Sequence, residues 1–166
     1  MNYISAPWRS KYVKNISKQE RCIFCDKIKL NNDRKAFILY RGKYNFIILN
    51  KYPYTPGHLM VAPFKHSSSF EKAEKKSTHE MMDLIKMSIK VLKQHYNPQG
   101  LNTGMNLGKS AGAGIADHYH MHIIPRWTGD SNFMPLIGKA KIFIETLDQT
   151  YKHLLPLFEK EKKDEL

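Results

Sequence analysis

Asp117-His118-Tyr119-His120-Met121-His122-Ile123-Ile124-Pro125-Arg126-Trp127 sets three histidines in alternation with bulky apolar residues. Successive side chains of a strand point to opposite faces, so His118, His120 and His122 are expected to line one face, with Tyr119, Met121 and Ile123 packed behind. A half-exposed strand whose polar face happens to be histidine is the bland alternative. An ordinary solvent face would more readily use Thr, Lys or Glu. Imidazole near pH 7 is neutral and nucleophilic, moves protons, and ligates metals through either nitrogen. A row of three can divide those tasks among its members.

Upstream of this stretch, Leu101 to Leu107 reads as a strand, closed by the small-residue run Gly108-Lys109-Ser110-Ala111-Gly112-Ala113-Gly114. Such a run lets backbone amides approach an anion. Ala36 to Tyr40 and Tyr44 to Asn50 read as a hairpin around Arg41-Gly42-Lys43, and His58 to Pro63 as a third strand after a segment broken by two prolines and Gly57. Ser77-Thr78-His79-Glu80 has the form of a capping box. The apolar residues Met81, Leu84, Ile85, Ile89 and Leu92 then give a helix that stops at Asn97-Pro98. His79 and His95 read as ordinary surface residues of this helix. From Lys141 to Lys162 a second helical stripe is expected, packing on the domain or on a second subunit, with Pro156 ending or bending it.

Cys22-Ile23-Phe24-Cys25 is a tight clip of two thiols. It offers two corners of a tetrahedral zinc and needs two more ligands. A redox pair would be expected between a strand and a helix of a parallel sheet, a context absent here. Met1 to Glu20 is polar and aromatic without a period and reads as an arm, with Trp8 and Tyr12 suited to fastening it.

A chain of 166 residues with 42% apolar content suits one domain with extensions. A formal charge of +12 and a pI near 9.6 favour acidic partners such as polyphosphates, or reflect nothing more than a lysine-rich composition. The lysines are scattered and no recognition-helix, RNA-sheet or zinc-finger pattern accompanies them, so no specific nucleic acid partner is expected. No apolar run approaches bilayer length, so no membrane partner is expected either. Lys163-Asp164-Glu165-Leu166 spells a retrieval signal for the endoplasmic reticulum. Without an apolar entry signal near Met1 it reads as coincidence, and the expected compartment is the cytoplasm.

The pattern His-φ-His-φ-His-φ-φ, φ being apolar, is met at every position from His118 to Ile124, and Asn50-x-x-Pro53-x-x-x-Gly57-His58-φ-φ-φ-x-Pro63 accompanies it. Together, over about Cys22 to Asp130, they resemble the histidine triad (HIT) superfamily. The resemblance implies an α+β, HIT-like fold: an antiparallel sheet of about five strands with a central helix and a C-terminal helix, commonly a homodimer. It implies an arm at 1–20, the triad domain at 21–138 and a helical extension at 139–166. It also implies nucleotide binding and cleavage at phosphorus through a nucleotidyl-histidine.

By that resemblance His120 attacks the α-phosphorus and its ring is expected to be free and aimed there. His122 bonds the phosphate, and the leaving-group proton comes from His58 or water. Asn50 contacts the ribose, although it could simply stabilise its turn. Asn106, Ser110 and the loop at Gly112 and Gly114 receive the phosphates. Cys22, Cys25, His66 and His118 match a structural zinc (Zn2+) set; two buried thiols with a solvent-facing His66 is the metal-free alternative.

Many members carry Gln where this chain has Gly114. The segments around Gly112 to Asp117 and Pro125 to Pro135 look instead like the branch with diadenosine tetraphosphate phosphorylases and hydrolases, implying dinucleoside polyphosphate substrates. Other readings are a nucleotidyltransferase or nucleoside phosphoramidase of the same family, and, from another class, a zinc-stabilised nucleotide-binding module without catalysis.

Overall fold

The structure, a computed structural model, describes residues 21–130 and 145–164. The expected arm at 1–20 with Trp8 and Tyr12, the tail segment Ser131 to Pro135, the start of the second helical stripe at 141–144, and the end of the retrieval-like sequence lie outside the described residues.

Among the described residues, four α-helices and a five-stranded antiparallel sheet form an α+β fold. In chain order these are α1 (Ile23–Lys29), α2 (Asp33–Ala36), β1 (Ile38–Arg41), β2 (Asn45–Leu49), β3 (Leu59–Pro63), α3 (Lys75–Tyr96), β4 (Gly100–Met105), β5 (Met121–Arg126) and α4 (Leu147–Asp164). The sheet order is β1-β2-β3-β5-β4. Strands β2 and β3 are buried along their whole length because both faces are covered.

Alternation along each strand decides which residue meets which layer. Ile47, Leu49, Leu59, Val61 and Ile123 point toward α3 and α4, where they meet Leu84, Val91, Leu92, Leu154 and Phe158. Phe46, Ile48, Met60 and Ala62 point the other way, toward Phe24 of α1. Register pairs Met60 with His122 and Leu59 with Ile123, so the histidine face is the face that α1 covers. Tyr119 and Ile123 are buried on the helix side as expected.

The extended segment is shorter as a strand than its alternation predicts, because β5 begins at Met121. The residues before it leave the ladder: Tyr119 N–H donates to the carbonyl of Ser67 at 2.8 Å, and His118 Nε2–H donates to the carbonyl of Pro63 at 2.8 Å. His118 and Tyr119 are therefore held by the end of β3 and the chain that follows it, and His120 by the carbonyl of His118.

The capping box is not formed. Helix α3 starts three residues earlier than that cap implies, at Lys75, with Ser77 already inside it and buried. Glu80 turns instead to the β1–β2 hairpin, where its carboxylate accepts from the amides of Lys43 (2.6 Å), Tyr44 (2.8 Å) and Asn45 (2.7 Å) and from Asn45 Nδ2 (2.8 Å). Gly42 is required there: a Cβ would lie 2.9 Å from that carboxylate. Residues near the turn recruit the one acceptor able to serve three adjacent amides, and the local cap is given up.

The stop at Asn97 is as expected, in the left-handed conformation before Pro98. Pro156 does not end α4, which runs on to Asp164 with Leu154 and Phe158 fully buried on either side of it. The packing of those two side chains outweighs the lost backbone bond. This helix lies on α3 and β1 of the same chain, and Tyr151 donates its hydroxyl to the carbonyl of Ile38 at 3.2 Å. No helix among the described residues is long and apolar enough to cross a membrane.

Glu80→Ala leaves three hairpin amides without their acceptor, and a loss of about 2–4 kcal/mol in unfolding free energy is expected. Urea denaturation measures it. A loss within about 0.5 kcal/mol of zero, the level of an ordinary surface change, contradicts this account of the turn.

Candidate active site and metal-ligand cluster

Helix α1 carries Cys22 at its N-cap and Cys25 one turn on, so both thiols face the same side. His118 Nδ1 lies 3.3 Å from Cys22 Sγ and 3.8 Å from Cys25 Sγ, and His66 Nδ1 lies 3.5 Å from Cys25 Sγ. All four ligand atoms fall within 4.8 Å of one another. Metal bonds of about 2.3 Å to sulfur and 2.0–2.1 Å to nitrogen put the sulfur–nitrogen edge of a tetrahedron at about 3.6 Å. The measured edges fit. Burial pushes the Cys22 thiol up from its usual range, so a cation beside it would make the thiolate easier to form.

Hydrogen bonding fixes where each ring carries its proton, since a carbonyl can only accept and an amide N–H can only donate. His118 gives Nε2–H to Pro63, which leaves the lone pair of Nδ1 toward the cysteines. His120 gives Nδ1–H to the carbonyl of His118 at 2.9 Å, which leaves the lone pair on Nε2. His58 accepts from Tyr54 N–H at Nδ1 (3.1 Å), so it donates from Nε2 to His122 Nδ1 at 2.9 Å. His122 then carries its proton on Nε2, pointing away from His58. A lone pair on His120 and an N–H on His122 sit on rings whose centroids are 4.8 Å apart.

Enclosure of these rings exceeds the expectation. His118 is sealed, and His120, expected to be free, is 3% exposed. Phe24 explains it, with its ring 5.1 Å from His118 and 5.0 Å from His120. His120 is not sealed everywhere, though. No described group engages His120 Nε2, the nitrogen that carries the lone pair, and the small exposed remainder of the residue is all that faces solvent. Gly104 stands opposite His122 in the register, and a Cβ there would meet nothing within 4 Å. Space is therefore open beside the histidine row on its β4 side.

Burial lowers the proton affinity of all three rings. His118 is pushed down to about 4 by burial, and His122 to about 4 by burial with His120 alongside; His120 is lowered by burial although its bond to the His118 carbonyl acts the other way. Neutral imidazoles are what ligation and nucleophilic attack require.

The other expected site residues are distributed as follows. His58 is 1% exposed and lies behind His122, so it orients that ring and does not face the open side. Asn50 holds its own turn through Oδ1, which accepts from Tyr52 N–H at 2.9 Å, and its Nδ2 lies 3.4 Å from the His58 ring. Asn106 follows Met105, the partner of Met121, and so enters the loop at the level of His120. Ser110 is exposed on a single 3-10 turn, Lys109–Ala111. Gly112 closes that turn with φ 87° and gives its amide to Lys109 O at 2.9 Å, so this amide serves the loop and not an anion. Gly114 is half-buried on the way to His118. None of these four loop residues bonds a histidine of the row among the described residues. Sequence reasoning missed Phe24, Tyr54 and the Pro63 carbonyl; Phe24 alone carried a signal, as an aromatic inside the Cys22–Cys25 clip.

Comparison with known proteins gives a consistent picture. A family model described as the HIT domain matches residues 31–129. An AP-4-A phosphorylase of Mycobacterium tuberculosis is 41% identical over 123 residues, 74% of this chain; the chain spans 63% of that enzyme's length. A hypothetical histidine triad nucleotide-binding protein of Sulfolobus tokodaii superposes with a TM-score of 0.69 at 28% identity, covering 86% of this chain and 95% of that one. A Zn-bound histidine triad family protein of Mycobacterium smegmatis shares the fold with a TM-score of 0.68 at 20% identity, covering 86% and 96%.

The pKa near 4 makes a measurable claim about His122. Its ring resists protonation in the folded state while the unfolded ring takes a proton near 6.5. The unfolded chain thus binds more protons between those values, and this ring's share of stability is complete above about pH 6.5 and is lost as pH falls toward 4. Histidine-resolved NMR from pH 7.5 to 5 should show the His122 signals unchanged; a midpoint near 6.5 contradicts the geometry.

Proposed function

The chain belongs to the HIT family, and from that premise we propose that it is a nucleotide-processing enzyme that cleaves the phosphoanhydride of dinucleoside polyphosphates through a nucleotidyl-histidine on His120. The observation that carries this is the pair of opposed tautomers: a lone pair on His120 Nε2 beside an N–H on His122 Nε2. Attack at phosphorus needs one group of each kind.

In the first half-reaction His120 Nε2 forms a bond to the α-phosphorus and the bridging P–O bond breaks. The departing polyphosphate keeps the electron pair and takes its proton from water. The ring becomes a cation, and its Nδ1–H bond to the His118 carbonyl strengthens as that charge develops. His122 donates to a phosphate oxygen, held in line by His58, which acts as a positioning residue. Asn106, Ser110 and the backbone near Gly114 receive the remaining phosphate oxygens, and Asn50, which supports the turn over His58, contacts the ribose. In the second half-reaction an acceptor oxygen attacks phosphorus and returns the pair to Nε2. Water gives a nucleoside monophosphate; orthophosphate gives a diphosphate and conserves the anhydride. Similarity to the mycobacterial phosphorylase favours the second.

Cys22, Cys25, His66 and His118 fit zinc by number, chemistry and edge lengths. The ion, when bound, supplies a structural cross-link and no acid or base. Ligation would fix His118 from the side opposite Pro63, and with it the carbonyl that sets the His120 tautomer. The protein is also proposed to work as a homodimer in the cytoplasm, with 21–138 as the triad domain and 139–166 as its extension.

The enclosure of His120 favours a second reading, a nucleotide-binding module without turnover. One experiment separates the two. Protein incubated with diadenosine tetraphosphate, with and without orthophosphate, is analysed by resolving ADP from AMP. Phosphate-dependent ADP supports the phosphorylase, AMP with ATP supports the hydrolase, and binding without product supports the module. His120→Asn should lower turnover by roughly 10⁴-fold or more. Cys22→Ala should chiefly lower the melting temperature, by about 6–12 °C for a loss near 3 kcal/mol. A fully active His120→Asn protein sinks the mechanism.

A further inference from the structure

At the C-terminal end of α3, outside the histidine row, a second group of ligating side chains comes together where two helices meet. His95 lies in the last turn of α3, His153 in the second turn of α4, and Glu145 just before α4. One ligand atom from each lies within 4.8 Å of the others. His153 Nδ1–H donates to Glu145 Oε1 at 3.2 Å, and the His95 and His153 ring centroids are 5.2 Å apart.

We propose that His95, Glu145 and His153 form a second metal site, which takes a borderline divalent transition ion such as Zn2+ and pins the start of α4 to the end of α3.

The donor set argues for the class of ion. Two imidazoles and one carboxylate suit zinc and its neighbours in the transition series, whereas calcium and magnesium ask for oxygen ligands throughout. Three protein ligands leave a position for water, as an exposed site requires. The 3.2 Å separation of His153 Nδ1 and Glu145 Oε1 matches an edge of a coordination shell with bonds of about 2.0–2.2 Å, so an ion could replace the proton between them with little movement.

The carboxylate is also held in place before any ion arrives. Glu145 Oε2 accepts from Tyr96 Oη at 2.6 Å and from Thr150 Oγ1 at 3.1 Å, leaving Oε1 toward the histidines. Burial raises the proton affinity of this carboxyl, but the bonds from Tyr96, Thr150 and His153 outweigh that and hold it below its ordinary value. A ligand oriented by supporting bonds of this kind is a feature of built metal sites. A plain ion pair between Glu145 and His153 would need neither the second histidine nor the hydroxyl.

The link would have a structural consequence. Tyr151, Leu154 and Phe158 of α4 complete the core against α3, and a cross-link at their N-terminal side would fasten the helix that supplies them.

The test is made on the full-length protein after chelator treatment and dialysis. Co2+ titration reads the ligand type, because cysteine thiolates give an intense near-ultraviolet charge-transfer band that nitrogen and oxygen ligands do not. Equilibrium dialysis against Zn2+ counts the ions held. The expected result is an equivalent that adds no thiolate band and is lost in His95→Asn and in His153→Asn. In each, affinity should fall by more than the roughly 10- to 100-fold typical of losing a supporting hydrogen bond. Both histidines are exposed, so folding should be retained and circular dichroism checks it. Any ion held by the cysteines keeps its band in these variants, and the readout stands even if the cysteines hold none. Absence of a thiolate-free equivalent, or its persistence at unchanged affinity in either variant, overturns the site.

Discussion

The hydrogen bond from His120 Nδ1 to the His118 carbonyl, 2.9 Å long, is the interaction on which the arrangement of the site depends. A free imidazole exchanges its proton between two nitrogens, and only one of the two forms presents a lone pair outward. The carbonyl removes that ambiguity. It can do so because His118 is itself held on three sides, by Pro63 O at Nε2, by the cysteines at Nδ1 and by Phe24 against its ring. Ligand cluster and histidine row are therefore one structure, joined through a single residue whose side chain serves the first and whose backbone serves the second.

His122 is fixed by a separate chain of bonds that starts in the backbone at Tyr54 and passes through His58. The two chains give neighbouring rings, one just before β5 and one on it, opposite hydrogen-bonding character. Burial adds the other half of the effect by disfavouring the cationic form of both rings. A protein with a formal charge of +12 thus places neutral groups at its centre and leaves its lysines elsewhere.

Much of this was legible in the residues. Alternation from His118 to Ile123 named the two faces; the register of β3 against β5 places His122 and Ile123, and packing against Phe24 and the helix-side core places His118, His120 and Tyr119. The four ligands were matched by resemblance, and the structure brings them within 4.8 Å. What failed to show was every feature set by residues distant in sequence. Glu80 looked like a local cap because its partners, Lys43 to Asn45, lie 35 to 37 residues away in the chain. His58 was read, alongside water, as a source of the leaving-group proton, and its bond to His122 could not be seen because the two lie 64 residues apart. The strand seemed to start at His118 because a periodic pattern does not reveal that Ser67 and Pro63 take the bonds a neighbouring strand would make. Of the two outcomes expected at Pro156, ending or bending the helix, the first does not occur, because propensity does not count the burial of Leu154 and Phe158.

The enclosure of His120 bears on how a substrate could reach it. Phe24 covers the ring from the α1 side, so approach from that direction is closed. On the β4 side the residue opposite His122 is glycine, and a side chain there would project into space that the fold leaves vacant. Any larger residue at Gly104 would stand beside the one edge of the row that carries a donor. The absence of a Cβ and the presence of Phe24 are thus complementary. One keeps the rings dry enough to stay neutral, and the other leaves open space along the strand edge beside His122.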